Sequence, residues 1–120
     1  MENLVQSAPW QALTAHYQSI ASVHMRDLFV QDTQRFEKLS FEAAGLLLDY
    51  SKNRITNETL SLLFDLAEAR QLSTRIEDLF SGQIVNFSEN RPALHTALRE
   101  PDNRPLMVNG KDIIPDIHQT

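Results

Sequence analysis

The sequence predicts a mainly α-helical chain with short β elements, and three features carry that prediction. Apolar residues recur at intervals of three and four from Trp10 to Ile20 and again from Leu60 to Phe80, the period of an amphipathic helix. The run Leu46-Leu47-Leu48 follows Gly45 and ends in the polar cluster Asp49-Tyr50-Ser51-Lys52-Asn53, the pattern of a short strand. Near the C-terminus, Asn109-Gly110 lies between Leu106-Met107-Val108 and Lys111-Asp112-Ile113-Ile114, as a hairpin closed by a type I′ turn requires.

Taken in order, Pro9 suits the first turn of a helix, where its missing N–H costs nothing. Trp10, Leu13, Tyr17 and Ile20 then line one helical face, and Met25, Leu28 and Phe29 mark a second short helix. Asp32 and Thr33 are positioned to cap a further piece that carries Phe36 and Leu39. From Phe41 to Tyr50 the apolar run is expected as a buried strand, with a helical turn as the alternative. Thr56 is expected as an N-cap, with Glu58 in the first turn where the helix dipole favours an acid. The stripe Leu60, Leu63, Phe64 and Ala67 is widened by Leu62, Leu66 and Ala69, an arc that expects contacts on two sides. Ser73 is expected to cap the next helix, which turns Ile76, Leu79 and Phe80 inward, and Gly82 to end it in the left-handed conformation. Asn90 before Arg91-Pro92 is expected to start a helix. Pro101 and Pro105 bracket a break, Pro115 limits the second arm of the hairpin, and another helix is expected from Asp116 shortly before Thr120.

The 120 residues suffice for one small domain, and 42% hydrophobic with 22% charged residues is an ordinary globular mixture. A net charge of -5 sets the chain against nucleic acid, whose phosphates call for a basic face. The absence of cysteine excludes disulfides, thiolate metal sites and cysteine nucleophiles. Residues Met1 to Ser7 lack the basic and apolar regions of a signal peptide, and no apolar run is long enough to span a membrane. No nucleic-acid or membrane partner is therefore expected. Without a secretory signal, the sequons at Asn57 and Asn86 read as chance.

His16, His24, His95 and His118 share no i, i+4 pairing and no HExxH context, so no metal site is expected from them. Arg91, His95 and Arg99, spaced by four, would share one face of the expected helix and could grip a phosphate or a carboxylate. No glycine-rich cradle accompanies them, and the favoured expectation is that they anchor this segment to a larger body. Glu77-Asp78 and the Asp112/Asp116 pair lie in no apolar pocket that would tune a carboxyl for acid–base work. Ser7, Ser81 and Ser88 lack the GxSxG context of a serine nucleophile.

Four blocks carry a resemblance. They are Leu46-Leu-Leu-Asp-Tyr-Ser-Lys-Asn53; Phe80-Ser-Gly82 with Asn86-Phe-Ser-Glu-Asn-Arg91; Ala93-Leu-His-Thr-Ala-Leu-Arg99; and Asn103-Arg-Pro105 with Asn109-Gly-Lys-Asp112. In order and spacing they resemble the N-terminal region of the glucose-6-phosphate isomerase family, with local departures at Ile84-Val85 and Glu100-Pro101. Residues 1–40 share only general helical character, which suggests a helical N-terminal extension over 1–40 and the start of the conserved family region over 41–120.

The resemblance implies a member of a much longer, cytoplasmic enzyme of glycolysis and gluconeogenesis, usually a homodimer. Its implied fold is a three-layer α/β sandwich of two sugar-isomerase domains. Its implied reaction interconverts glucose 6-phosphate and fructose 6-phosphate through ring opening and proton transfer by way of an enediol, with no cofactor. In the family a glutamate is the base, a histidine and a lysine assist ring opening, and serines and threonines bind the phosphate. None of those motifs has a counterpart in this sequence. No catalytic residue is assigned, and the 120-residue chain by itself is expected to be inactive. Arg91, His95, Arg99, Lys111 and Asp112 match family positions and are given a scaffold role, facing the remainder of the isomerase chain. The alternative is a free-standing helical interaction module, suggested by the wide apolar face from Leu60 to Ala69; the four blocks favour the isomerase.

Overall fold

A computed structural model describes residues 3–100 and 104–119. The features expected at Pro101, Asn103 and Thr120 lie outside the described residues. The chain divides into two compact units, Met1–Leu66 and Ala67–Thr120. The first holds helices α1 (Ala8–Ile20), α2 (Met25–Gln31) and α3 (Arg35–Lys38), strands β1 (Ser40–Ala43) and β2 (Leu46–Asp49), and most of α4 (Asn57–Ala69). The second holds α5 (Leu72–Phe80), strands β3 (Ile84–Asn86) and β4 (Arg91–Pro92), a 3-10 turn at Ala97–Arg99, strands β5 (Met107–Val108) and β6 (Lys111–Asp112), and α6 (Ile114–Ile117). Among the described residues every sheet is a two-stranded antiparallel hairpin. The chain is thus helix-rich with small β elements.

In the first unit, Pro9 stands in the first turn of α1. The carbonyl end of that helix is met by Arg54, whose guanidinium donates to the carbonyls of Ala21 and, at 2.8 Å, Val23. A cation at a helix C-terminus satisfies carbonyls the helix cannot pair and complements its dipole. Thr56 caps α4 as expected. The Thr59 N–H donates to Thr56 Oγ1 at 3.3 Å, while the Thr56 N–H donates to Thr59 Oγ1 at 2.9 Å. This is a capping box in which threonine replaces the usual Glu or Gln. The same Thr59 hydroxyl lies 2.7 Å from Nε2 of buried His16, tying α1 to the start of α4. Leu28 and Leu39 are the buried apolar residues here.

The segment from Phe41 to Tyr50 bears out the expected strand over its helical alternative and corrects its expected burial. It is a hairpin, with no helical turn, in which β1 pairs with β2 from Ser40↔Asp49 to Ala43↔Leu46 around Ala44 (φ 51°) and Gly45 (φ 75°). It is also not buried: Leu46 is 74% exposed, and Leu47 and Leu48 are exposed as well. An apolar run reports that a strand can be covered; the cover itself must come from elsewhere. Leu63 and Phe64 on α4 and Trp10 and Tyr17 on α1 are exposed in the same way, so those stripes do not form the core expected of them.

In the second unit, α5 begins after Gln71, which adopts the left-handed conformation (φ 55°) and makes no side-chain cap. Ser73 lies inside the helix, which corrects its expected role as cap. Gly82 ends the helix with φ +73°, as expected. A Cβ there would also sit 3.2 Å from both Leu106 Cδ1 and Val108 Cγ2, so any larger residue would strain the backbone and also push these two side chains back by a few tenths of an ångström. The expected helix at Arg91 does not form. Arg91 and Pro92 make β4, pairing Asn86↔Arg91 and Ile84↔Pro92 across a bulge, with Asn90 left-handed at φ 54°. Pro92 has no N–H to donate, a loss that an edge strand tolerates. The hairpin at Asn109-Gly110 is present, both residues taking the positive φ of a type I′ turn (51° and 77°). Helix α6 starts at Ile114, earlier than Asp116, with Pro115 in its first turn. Among the described residues of this unit, Ala97 and Ile114 are the buried apolar ones.

Candidate functional site

The five residues singled out from the sequence are spread over different local structures. Arg91 is in β4, His95 in the turn that follows, and Arg99 ends the 3-10 turn; all three are exposed. No helix aligns them, so the expected cationic face is absent. Lys111 and Asp112 form β6. The Asp112 carboxylate Oδ1 accepts the N–H groups of Leu106 and Ile114, both at 3.1 Å, and so stitches the strand before the hairpin to the start of α6. Lys111 Nζ donates to Asp116 Oδ2. The contacts of Lys111 and Asp112 are thus made within their own segment.

A densely bonded cluster among the described residues was read from the sequence only as the end of a strand and part of a family block, not as a candidate site. It is the turn Asp49 to Asn53, held from two sides. Asp49 Oδ1 accepts from the Ser51 hydroxyl at 2.6 Å and from the Ser51 N–H at 2.9 Å, and Oδ2 accepts from Lys52 Nζ at 2.9 Å. From α3, buried Arg35 donates Nε to the Ser51 carbonyl and Nη2 to the Asn53 carbonyl, each at 2.7 Å, with its guanidinium over the Phe29 ring at 5.6 Å. Ser51 is 1% exposed. The signal for this turn was present in the Asx-turn pattern Asp-x-Ser. The signal for its partner was only an arginine beside the apolar Phe36, sixteen residues upstream of Ser51.

Hydrogen bonds from the Ser51 hydroxyl, then Lys52, then the Ser51 N–H hold the Asp49 carboxyl at about 2, below its ordinary 3.8. Because the folded value is the lower one, the stabilisation is complete above the unfolded value and is lost as pH falls from about 3.8 through about 2. The expected result is an Asp49 carboxyl carbon that titrates near 2 by NMR, and loss of that part of the acid-side stability slope in Asp49→Asn. A midpoint at the ordinary carboxylate value would show that these bonds do not persist in solution.

The remaining titratable groups do not converge. His24 Nδ1 accepts the Arg26 N–H at 3.1 Å and caps α2, while His16 is taken up by Thr59 with the Glu58 carboxylate 3.5 Å from its Nδ1. Among the described residues no group of three or more His, Asp or Glu side chains could hold a metal ion. Asp78 faces Arg75 at 3.5 Å, and the Arg75 guanidinium lies over the Phe87 ring at 5.4 Å. A cleft of about 310 Å³ in the second unit is lined by Phe80, Thr96, Ala97, Leu106 and Ile114 together with Glu100 and Arg104. These last two pair with each other at 3.4 Å across its wall. No helix is long and apolar enough to cross a membrane among the described residues. The arrangement offers no acid–base pair aimed at a common point.

Comparison with known proteins supplies the wider frame. A model of the family described as phosphoglucose isomerase matches residues 49–120. The chain is 52% identical over 120 residues to the glucose-6-phosphate isomerase of Shewanella baltica (strain OS223), covering 100% of the chain and 22% of that relative. It is 50% identical over 118 residues to the one from Roseiflexus castenholzii, covering 98% of the chain and 22% of the relative. It is 49% identical over 116 residues to the one from Deinococcus deserti, covering 97% and 21%. The chain spans about a fifth of the length of the curated relatives it matches.

Proposed function

Since the chain belongs to the phosphoglucose isomerase family, we propose that it is the N-terminal section of a longer enzyme that interconverts glucose 6-phosphate and fructose 6-phosphate. The observation that carries this reading is the half-identity to glucose-6-phosphate isomerases along the whole chain. In this reading residues 1–40 are a helical lead-in and residues 41–120 open the conserved region. The larger molecule is the sugar-isomerase sandwich, and it works as a cytoplasmic homodimer. A free-standing interaction module is not supported, because the matched relatives are isomerases over the full extent of this chain.

Within that enzyme this section is scaffold. Isomerisation needs a base held against the substrate carbon and a cradle for the phosphate, and the described residues bring no such pair together. Asp112 and Lys111 fasten local turns, and Arg91, His95 and Arg99 face outward to meet the rest of the chain. The 120-residue chain by itself is expected to give only the blank rate in an assay that couples glucose 6-phosphate formation to its oxidation. Turnover above the blank that co-purifies with the chain would overturn the scaffold assignment. Inorganic phosphate titrated into the labelled chain is expected to leave the amides of Arg91, His95 and Arg99 without a saturable shift. A joint saturable shift at all three would instead make them an anion site.

A further inference from the structure

We propose that Asn109-Gly110 is a spontaneous deamidation site whose rate is set by opening of the β5–β6 hairpin, and whose isoaspartate product unmakes that hairpin irreversibly. The inference is independent of the isomerase reading. It starts from three observations. Asn109 and Gly110 are both exposed at the tip of the turn. Beyond its chain neighbours, nothing lies within 4 Å of where a Gly110 Cβ would be, so that side of the turn is open. No hydrogen bond holds the Asn109 carboxamide among the described residues.

The chemistry needs only water. The Gly110 amide nitrogen attacks Asn109 Cγ, an N–Cγ bond forms and the amide proton passes to solvent. The Cγ–Nδ2 bond then breaks and ammonia leaves, closing a five-membered succinimide. Water opens that ring at Cγ to give aspartate, or at the backbone carbonyl to give isoaspartate, whose main chain runs through Cβ and Cγ. No oxidation state changes.

The turn acts as a brake. Ring closure needs the peptide after Asn109 to rotate so that its nitrogen faces Cγ, whereas the hairpin holds that peptide at the centre of a two-residue type I′ turn. The ladder has two residue pairs, Met107↔Asp112 and Val108↔Lys111, with the Ile113 N–H donating to the Leu106 carbonyl at 3.1 Å and the Asp112 carboxylate fastening its open end. A two-stranded ribbon that short opens readily by local fluctuation, and so sets the pace of the reaction. Once isoaspartate has formed, the extra backbone methylene cannot fit a two-residue I′ turn. A new carboxylate then stands beside Lys111 and Asp112. Val108, whose side chain fills the space over Gly82, loses its register.

The test ages the chain in mildly alkaline buffer beside a synthetic peptide of residues 105–114. Conversion is read as a mass gain of about 1 Da on the fragment holding Asn109, and isoaspartate is counted by labelling with an isoaspartate-specific carboxyl methyltransferase. Asn109 is expected to convert faster than Asn53, Asn57 or Asn86 in the same chain, and the peptide faster than the chain. Gly110→Ala is expected to slow both. Because φ 77° would strain an alanine in the folded chain, the same substitution in the peptide gives the chemical effect without a fold to lose. Conversion at Asn109 no faster than at the other asparagines would overturn the site. Equal rates in peptide and chain would overturn the brake.

Discussion

Arg35→Ala is expected to destabilise the first unit by about 3 kcal/mol, because a charged donor contributes ~1.5–3 kcal/mol per hydrogen bond and this side chain makes two in a buried setting. The substitution takes the Arg35 donor from the Ser51 carbonyl, leaves the Asn53 carbonyl with the Ile55 N–H at 2.9 Å, and removes the guanidinium from the Phe29 ring. Part of the loss is regained where water enters, so the sum of the two bonds is an upper bound. Arg35→Lys discriminates charge from shape. A lysine keeps the cation but lacks the planar fork that reaches two carbonyls at once, and it is expected to recover less than half. Denaturant unfolding and amide exchange at Tyr50 and Asn53 measure both variants. Those amides donate to Leu39 and Tyr50 within the clamped turn. A loss under about 1 kcal/mol in Arg35→Ala would mean that the clamp is solvated and weak.

Ile114→Ala is expected to cost the second unit ~2–4 kcal/mol, the usual range for cutting a buried isoleucine back to a methyl group. Ile114 is 3% exposed and lines the cleft shared with Phe80, Ala97 and Leu106. Truncation enlarges a gap that already exists, so little can collapse to fill it. The Asp112 carboxylate would still accept the N–H of residue 114, and the start of α6 should survive. The loss is therefore expected in the packing of α6, read as faster exchange at Ile117 and His118, whose amides bond to Ile113 and Ile114. Unchanged exchange there would show that the unit does not depend on this side chain.

What could be read from the sequence was whatever neighbouring residues decide among themselves. Gly82, Asn109-Gly110 and the Thr56 cap were legible because a left-handed turn or a cap is chosen by a few adjacent residues. The stretch from Arg91 to Arg99 was not. Asn-Arg-Pro is a valid helix start, yet pairing with Ile84 and Asn86 drew Arg91 and Pro92 into a strand instead. Phe87, placed under Arg75, shows the same competition being settled by a residue on another element. Burial was the least legible property. Leu46 to Leu48 were expected to be buried and stand exposed, whereas the polar residues His16, Arg35 and Ser51, which no apolar pattern marks as core, are buried. Polar groups go inside when their hydrogen bonds are met there, and those partners lie from two to forty-three residues away. Lys111 and Asp112 were picked out through likeness to a family, whereas Arg91, His95 and Arg99 were also marked by a spacing of four that lost its meaning once no helix formed there.

The three hairpins each pair a strand with the next one in sequence, and that arrangement governs when structure can appear. Contacts between chain neighbours close small loops, and small loops close fast. During synthesis each ribbon can therefore form once its own second strand has left the ribosome, without waiting for the residues that follow. Against this, the bond between His16 and Thr59 spans forty-three residues. Its closure, like that of Arg54 onto the end of α1, is a late event of the first unit, and until these form α1 is held only by what lies beside it in the chain.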